Sequence, residues 1–298
     1  MNTKRNLLRA MCAIMALVIL SASIALADEG KKKKKKREPK PKPPASQYAG
    51  VKYNWEPMYK GIWHAYVEHG GQQMHAIKIK AKSPGISFVV SPVQAKVQNT
   101  LDFLNEHHCV VAVNANFFLL GGTGAVLGLA VNDGNVVSGP DGGFTSFIIK
   151  KNGKKEVRVV PPNEDVSDIK YAVSGDFQIV KDGFPQSDTS SHHGGRHPRT
   201  AIGCSKKGDF IYLLVIDGRQ RQSSGVPLSE LAQWMIHFGA YNAVNLDGGG
   251  STVMAYRDKD GSGKVLNHPS TGNYLRKVGN SFGVCIQEGH QRRSKGKK

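Results

Sequence analysis

From residue 62 onward the chain is a succession of short apolar runs cut by Gly, Asn and Asp, as in HAIKIKA (75–81), ISFVVSP (86–92) and CVVAVNANFF (109–118). Runs of this length between turn formers suit strands and are too short for most helices. Two segments also carry hairpin grammar: GLAVNDGNVVS (128–138) turns at Asp133-Gly134, and SFIIKKNGKKEVRVV (146–160) at Asn152-Gly153. Such pairs accept the positive φ that a tight turn between antiparallel strands requires. Helical periodicity occurs in two places. Leu101, Phe103 and Leu104 give 97–107 an apolar face. The second stretch, 228–238, opens after Pro227, repeats Leu228, Leu231, Trp234, Met235 and Phe238 at three- and four-residue spacing, and stops at Gly239. The expectation is an α+β domain: a strand-rich mixed sheet, mostly antiparallel hairpins, with a few packing helices.

Charge separates the ends from the body. The formal charge of +18 arises from 41 Lys and Arg against 23 Asp and Glu, yet residues 45–287 hold 24 and 19 of these, a net of +5. Nucleic-acid-binding folds usually carry their positive charge as a stripe on the folded domain, so this distribution argues against a nucleic-acid partner. Residues 1–27 read as a secretory signal, with Lys4, Arg5 and Arg9 before an apolar run (10–20) and Ala25-Leu26-Ala27 as the cleavage site. Residues 28–44 hold six consecutive lysines and PKPKPP, a composition that reads as an extended linker. Its charge suits attraction to anionic cell-envelope polymers, although most charge runs are solvated spacers. Residues 45–287 are then the folded domain and 288–298 a basic tail, and the protein is expected to be exported to the periplasm or the exterior. Cys109, Cys204 and Cys285 follow the signal; an odd count allows one disulfide at most, and sequence does not choose the pair.

Several motifs carry little weight. GGTGAVLG (121–128) contains G-x-G but no helix follows to hold a pyrophosphate. His192, His193 and His197 have zinc-like spacing without a second ligand cluster. DKDGSG (258–263) begins like a calcium loop, but Pro269 stands where the bidentate Glu belongs, and a hairpin turn explains it better.

The stronger signals are IYLLVIDGR (211–219) and AVNLDGGGS (243–251), two buried strands that each end in an acid followed by glycine. Carboxylates at strand ends sit on rigid supports, where a site is most easily held. Gly248, Gly249 and Gly250 would let backbone N–H groups converge on an anion, and Arg199 and Arg219 offer forked contacts of the kind phosphate accepts. Together these residues point to a phosphate-bearing substrate and acid–base chemistry. The competing reading makes each Asp-Gly a tight turn with a capping carboxylate.

HPRTAIG (197–203), VIDGRQ (215–220) and NLDGGGST (245–252), in that order, resemble the phosphodiester glycosidase family. The likeness extends to VNANFF (113–118), SGDFQIVKDG (174–183) and LRKVGNSFGV (275–284), and so spans residues 110–284. It departs at Ala115-Asn116, where many relatives carry small residues or glycine. The resemblance implies hydrolysis of a sugar-1-phosphodiester at the sugar C1–O bond, without a cofactor or metal. Asp217 and Asp247 become the catalytic pair. Arg199 and Arg219 bind the phosphate. Asn114, Asp176, Thr200, Gly218, Gly248, Gly249, Gly250, Ser251, Arg276 and Asn280 contact the substrate or support the site. Two other readings remain: a non-catalytic protein that binds anionic envelope glycopolymers, and a hydrolase cutting the P–O bond, which would need a metal pair.

Overall fold

The computed structural model describes residues 41–186 and 191–287, without the side chains of residues 191 and 192. Residues 1–27, expected from the sequence to be a secretory signal, most of the 28–44 stretch and the basic 288–298 stretch lie outside the described residues. Contacts divide the chain into residues 1–42 and residues 43–298, and the fold below belongs to the second unit.

Three sheets form this unit. The largest has eight strands in the order β1 (Glu56–Tyr59), β2 (Ile62–His69), β3 (Gln72–Lys80), β14 (Phe210–Ile216), β13 (Arg199–Cys204), β15 (Asn242–Asn245), β11 (Phe177–Lys181) and β12 (Phe184–Pro185). The second runs β7 (Asn135–Ser138), β6 (Ala130–Asn132), β10 (Ile169–Gly175), β8 (Thr145–Lys150) and β9 (Lys155–Val159). The third runs β17 (Gly263–Val265), β16 (Met254–Arg257), β5 (Cys109–Asn114), β18 (Ser281–Ile286) and β4 (Ile86–Val90). Every ladder among the described strands is antiparallel. Both hairpins read from the sequence form, β6–β7 through Asp133 (φ 47°) and Gly134 (φ 84°), and β8–β9 with Gly153 at φ 82°. DKDGSG turns between β16 and β17, with Gly261 at φ 84°.

Strand β14 shows why its sequence is a continuous apolar run. Ile211, Leu213 and Val215 enter the core shared by the three sheets, while Tyr212, Leu214 and Ile216 face the opposite side, under a helix. A strand buried on both faces has no polar side to alternate with. The covering helix is Leu228–Phe238, and Leu231, Trp234, Met235 and Phe238 are its buried stripe. Gly239 ends it at φ 111°, where a side chain would meet the Tyr212 hydroxyl. Truncating Leu231 to alanine would open a cavity costing about 2–5 kcal/mol.

The other helix read from the sequence spans only Thr100–Glu106, three residues shorter at its start than its apolar pattern. Gln98 exchanges backbone hydrogen bonds with Val278 in an extended bridge, and Asn99 then caps the helix by accepting from Asp102 N–H at 2.8 Å. The backbone of Gln98 cannot serve both the bridge and a helical turn. A four-residue helix at Ser191–Gly194 was absent from the sequence reading.

Cys109 and Cys285, opposite one another on β5 and β18 with Cα atoms 4.1 Å apart, form the disulfide, and Cys204 is a buried free thiol. No helix among the described residues is long and apolar enough to cross a membrane.

Candidate active site

Three strand ends meet at one edge of the eight-stranded sheet. β13 lies between β14 and β15 and runs antiparallel to both, so its start adjoins their ends: Arg199 pairs with Ile216, and Ala201 with Asn245. The HPRT, IDGR and LDGGGS segments therefore converge. The third sheet adds its share by the same rule, because β18 begins opposite the end of β5, with Ser281 against Asn114. That pairing brings Asn114 and the segment around Arg276 to the same end of the molecule.

A cavity of about 350 Å³ opens there, lined by Asp247, Gly248, Gly249 and Gly250, by Arg199, Arg219, Arg276 and His197, and by the apolar Phe117 and Leu120. A larger cavity of about 720 Å³ includes Arg257, but that guanidinium already donates to the carbonyls of Cys109, Leu104 and Gly261. The smaller cavity is the one in which a carboxylate and several guanidinium groups face common space.

Burial pushes the Asp247 carboxyl up to about 6, and the nearby Asp176 charge pushes the same way; the Ser251 side chain, the Gly248 N–H and the Arg276 charge oppose them. Its backbone is fixed from behind. Asn114 Nδ2 donates to the Asp247 carbonyl at 2.6 Å, Asp247 N–H donates to Ala115 O at 2.9 Å, and Leu246 N–H donates to Thr200 O at 2.8 Å. The fully buried Asn114 Oδ1 accepts from Thr200 Oγ1 at 2.7 Å and from Val253 N–H at 3.2 Å. Asn114 and Thr200 thus support Asp247 and do not line the cavity. Asn280 acts further back, donating to Asn116 Oδ1 at 2.9 Å, while Asn116 donates to Leu127 O and Leu129 O and ties the third sheet to the second.

Two of the three glycines differ from the anion cradle read from the sequence. Gly248 N–H donates to Asp247 Oδ1 at 2.8 Å, and Gly249 N–H to Pro198 O at 2.9 Å, so both amides are engaged within the protein. Glycine suits this turn because neighbours crowd in. A Cβ at 248 would lie 2.8 Å from Pro198 O, and one at 250 would lie 2.5 Å from the Arg276 guanidinium. Gly249, at φ 61°, lies beneath the Arg219 guanidinium. Gly218 likewise packs against Pro198 and Gly225.

Arg199 is buried, donating from Nε to Val226 O and from Nη2 to Gly195 O, both at 3.0 Å. Burial lowers its pKa to about 10, with Asp176 opposing the shift and Arg219 adding to it, so it stays a cation at neutral pH. Arg219 is exposed and adopts φ 59°, a left-handed conformation that costs a non-glycine residue about 1 kcal/mol or more. Bonds from Arg219 N–H to Ser224 O and from Gln220 N–H to Ser223 O hold it there. Its Nη2 lies 3.3 Å from His197 Nδ1. Arg276 Nη1 lies 3.5 Å from the buried Ser251 Oγ.

The structure separates the two aspartates. Asp217 is 1% exposed and is not on the cavity wall. Its Oδ1 accepts from Asn267 Nδ2 at 2.9 Å, and both oxygens receive the His268 N–H at 3.0–3.1 Å. Burial raises its pKa against those hydrogen bonds. Asp217 anchors the 267–268 loop. Asp176 is likewise not on the cavity wall, but its charge acts on both Asp247 and Arg199, raising the pKa of each. It accepts from Asn245 Nδ2 at 2.7 Å and meets His193 Nε2 at 3.1 Å.

Sequence reading missed His197, Phe117 and Leu120 as cavity residues and His193 as the partner of Asp176. His197 and Phe117 stand inside motifs already singled out, HPRT and VNANFF, so proximity to those motifs was the available signal. The zinc-like histidine spacing resolves into two separate contacts, one to Asp176 and one to Arg219, with the His192 side chain outside the described residues. Among the described residues no group of three or more His, Cys, Asp or Glu side chains is arranged to hold a metal ion.

The chain is 29% identical over 191 residues to the SPbeta prophage-derived uncharacterized protein YomE of Bacillus subtilis (strain 168), covering 59% of this chain and 28% of that protein. It is 30% identical over 182 residues to N-acetylglucosamine-1-phosphodiester alpha-N-acetylglucosaminidase of Mus musculus, covering 54% and 34%. The alignments thus span about a third or less of these relatives. The zebrafish enzyme of the same name, solved as a catalytic domain auto-inhibited by its pro-peptide, shares the fold with TM-score 0.61 and 20% identity, over 83% of this chain and 94% of that one. A hypothetical protein from Synechocystis superposes with TM-score 0.60 at 17% identity, over 79% and 64%. The sequence model described as phosphodiester glycosidase matches residues 107–285, which take in β5, β13, β14, β15 and every polar residue of the cavity, and the chain belongs to that family.

Proposed function

We propose that this protein hydrolyses sugar-1-phosphodiesters, breaking the sugar C1–O bond and releasing a phosphomonoester. The observation that carries the reading is the cavity itself: one carboxyl group with a pKa near 6 shares about 350 Å³ with three arginines.

The chemistry asks for this charge balance. A phosphodiester enters with one negative charge, and its phosphoryl group departs carrying two, so cations around it gain strength as the C1–O bond breaks. Interactions that strengthen toward the transition state are those that accelerate the reaction. Arg199, held rigidly by two backbone carbonyls, and the more exposed Arg219 and Arg276 fit this role. The sugar C1 meanwhile develops cationic character, which an adjacent carboxylate stabilises. Asp247 suits that task above pH 6 and accepts a proton below it. Asp217, with its carboxylate occupied by Asn267 and His268, acts as a positioning residue. Asp176, paired with His193, is the second carboxylate that bears on the reaction, through its field at Asp247 and Arg199.

Export and an envelope setting form part of the proposal. The 1–27 signal pattern supports secretion, and the lysine run of 28–44 supports attraction to anionic envelope polymers.

The decisive experiment incubates the protein with N-acetylglucosamine-1-phosphomethyl diester in 18O-labelled water and resolves sugar and methyl phosphate by NMR. Label in the sugar is the expected result. Label in the phosphate would mean P–O cleavage, and no turnover on a panel of sugar-1-phosphodiesters would leave glycopolymer binding as the better reading.

A further inference from the structure

Among the described residues eight large apolar side chains are 40–70% exposed; Tyr66, Val136 and Val159 lie on separate strands, while Val93, Val97, Leu119, Leu120 and Tyr274 fall on three loops that border one another beside the candidate active site. Leu120, the most exposed at 70%, also lines the cavity with Asp247 and the arginines.

The three loops are tied together. Gln94 Oε1 accepts from Val126 N–H at 2.9 Å, joining the first loop to the second. Gly124, at φ 72°, packs so closely on Val97 that a Cβ there would lie 2.2 Å from its Cγ1. Gln98 and Val278 exchange backbone bonds at 3.0 and 3.1 Å, joining the first loop to the third. In the third, Thr271 Oγ1 donates to Tyr274 O at 2.5 Å, beside Gly250 and Arg276 on the cavity floor. The second loop crosses from cavity to surface: Phe117 lines the wall, the Phe118–Val126 bridge closes the loop, and Leu119 and Leu120 project at its tip.

Solvent-exposed leucines at a loop tip lose favourable burial unless something covers them. Phe117 and Leu120 line the same cavity as Arg199, Arg219 and Arg276, so the apolar surface begins beside the cations proposed to hold the phosphate. We infer that the preferred substrate is a sugar-1-phosphodiester whose second ester is a long alkyl or prenyl chain, a lipid-linked sugar phosphate, with that chain lying along Phe117, Leu120 and Leu119. The inference rests on the hydrolase reading for its chemistry, but the apolar track can be tested by binding alone.

Two measurements on the full chain separate the claims. In the first, kcat/KM is compared for the methyl and decyl diesters of N-acetylglucosamine-1-phosphate, the latter below its micelle-forming concentration. The decyl diester should be favoured about tenfold or more, chiefly through KM, a preference equivalent to burying about two methylene groups. Leu120→Ser, and separately Leu119→Ser, should bring the ratio close to one; because a ratio is read, any loss common to both substrates cancels. In the second, decyl phosphate and methyl phosphate are titrated calorimetrically against wild type and Leu120→Ser, with the same preference and the same loss expected.

A wild-type ratio near one in kinetics and calorimetry, or a preference that survives both substitutions, would overturn the lipid-linked substrate and leave the hydrolase reading intact. No hydrolysis of either diester, with the calorimetric preference retained, would sink the hydrolase reading and keep the track. A concentration-dependent dimer in sedimentation that Leu120→Ser abolishes would give these residues to a second copy of the chain and end the proposal.

Discussion

Asn114 Nδ2 donates to the main-chain carbonyl of Asp247 at 2.6 Å, joining the end of β5 in one sheet to the segment that follows β15 in another. The same amide accepts from Thr200 Oγ1 and Val253 N–H, so one side chain fixes the rear of the candidate active site. Asn114→Ala would leave three buried polar groups without this partner, and each carries a penalty of roughly 1–3 kcal/mol. We expect a loss of about 3 kcal/mol or more in chemical denaturation, with kcat reduced because Asp247 loses its support. An unchanged midpoint would remove the strut role.

Asp247→Asn should reduce turnover by at least about 100-fold, the lower range for a positioned acid–base group. Its effect on stability has the opposite sign. A carboxyl whose pKa rises from the ordinary 3.8 to about 6 on folding holds its proton more tightly in the folded state, so its contribution is most favourable at low pH and is lost as pH rises from about 4 to 6. The neutral variant avoids that loss. Melting curves should show it more stable than wild type at pH 7.5, by on the order of 2 kcal/mol, with the gap closing near pH 4. Wild-type kcat should in turn decline as pH falls through about 6, where the carboxylate is protonated.

Asp217→Ala should behave differently from the substitution at Asp247. It strips the acceptor from Asn267 Nδ2 and His268 N–H and loosens the 267–268 loop. Thermal melts at neutral pH should fall, by about 2–3 kcal/mol in stability. A stable but inactive variant would return Asp217 to the chemistry.

Arg219→Ala tests the phosphate reading. Removing one charge-assisted contact costs about 1.5–3 kcal/mol, or roughly 10–150-fold in kcat/KM, on phosphodiesters. A neutral aryl glycoside of the same sugar, if turned over at all, should lose far less. Equal losses on both would mean that Arg219 shapes the pocket without binding phosphate. Activity should also survive EDTA, and complete loss restored by a single divalent ion would overturn a metal-free scheme.

The cysteines give a chemical check on the fold. Mass mapping under non-reducing conditions should find Cys109 linked to Cys285. Burial pushes the Cys204 thiol up to about 11, so it should resist Ellman's reagent until the protein unfolds. Rapid labelling of the native protein would contradict its place in the core.

What the sequence by itself determined was local. Alternating and continuous apolar runs gave the strands, Asp-Gly and Asn-Gly the hairpins, and the Leu228–Phe238 stripe its helix, because each of these preferences acts over a few residues. The acid-glycine strand ends were legible for the same reason. Which of them would face the cavity was not. Asp217 and Asp247 both end apolar strands before a glycine, yet one carboxylate is occupied by Asn267 and His268 and the other looks into open space beside Arg276. Only the packing of the third sheet against the first decides between them. Gly249 shows the same dependence, since its amide is taken by Pro198 O, which only the pairing of distant segments brings to it. The cysteine pairing and the lacing of three loops around Leu120 were likewise set by tertiary contacts, because hydrogen bonds and burial between segments distant in sequence depend on where the chain returns.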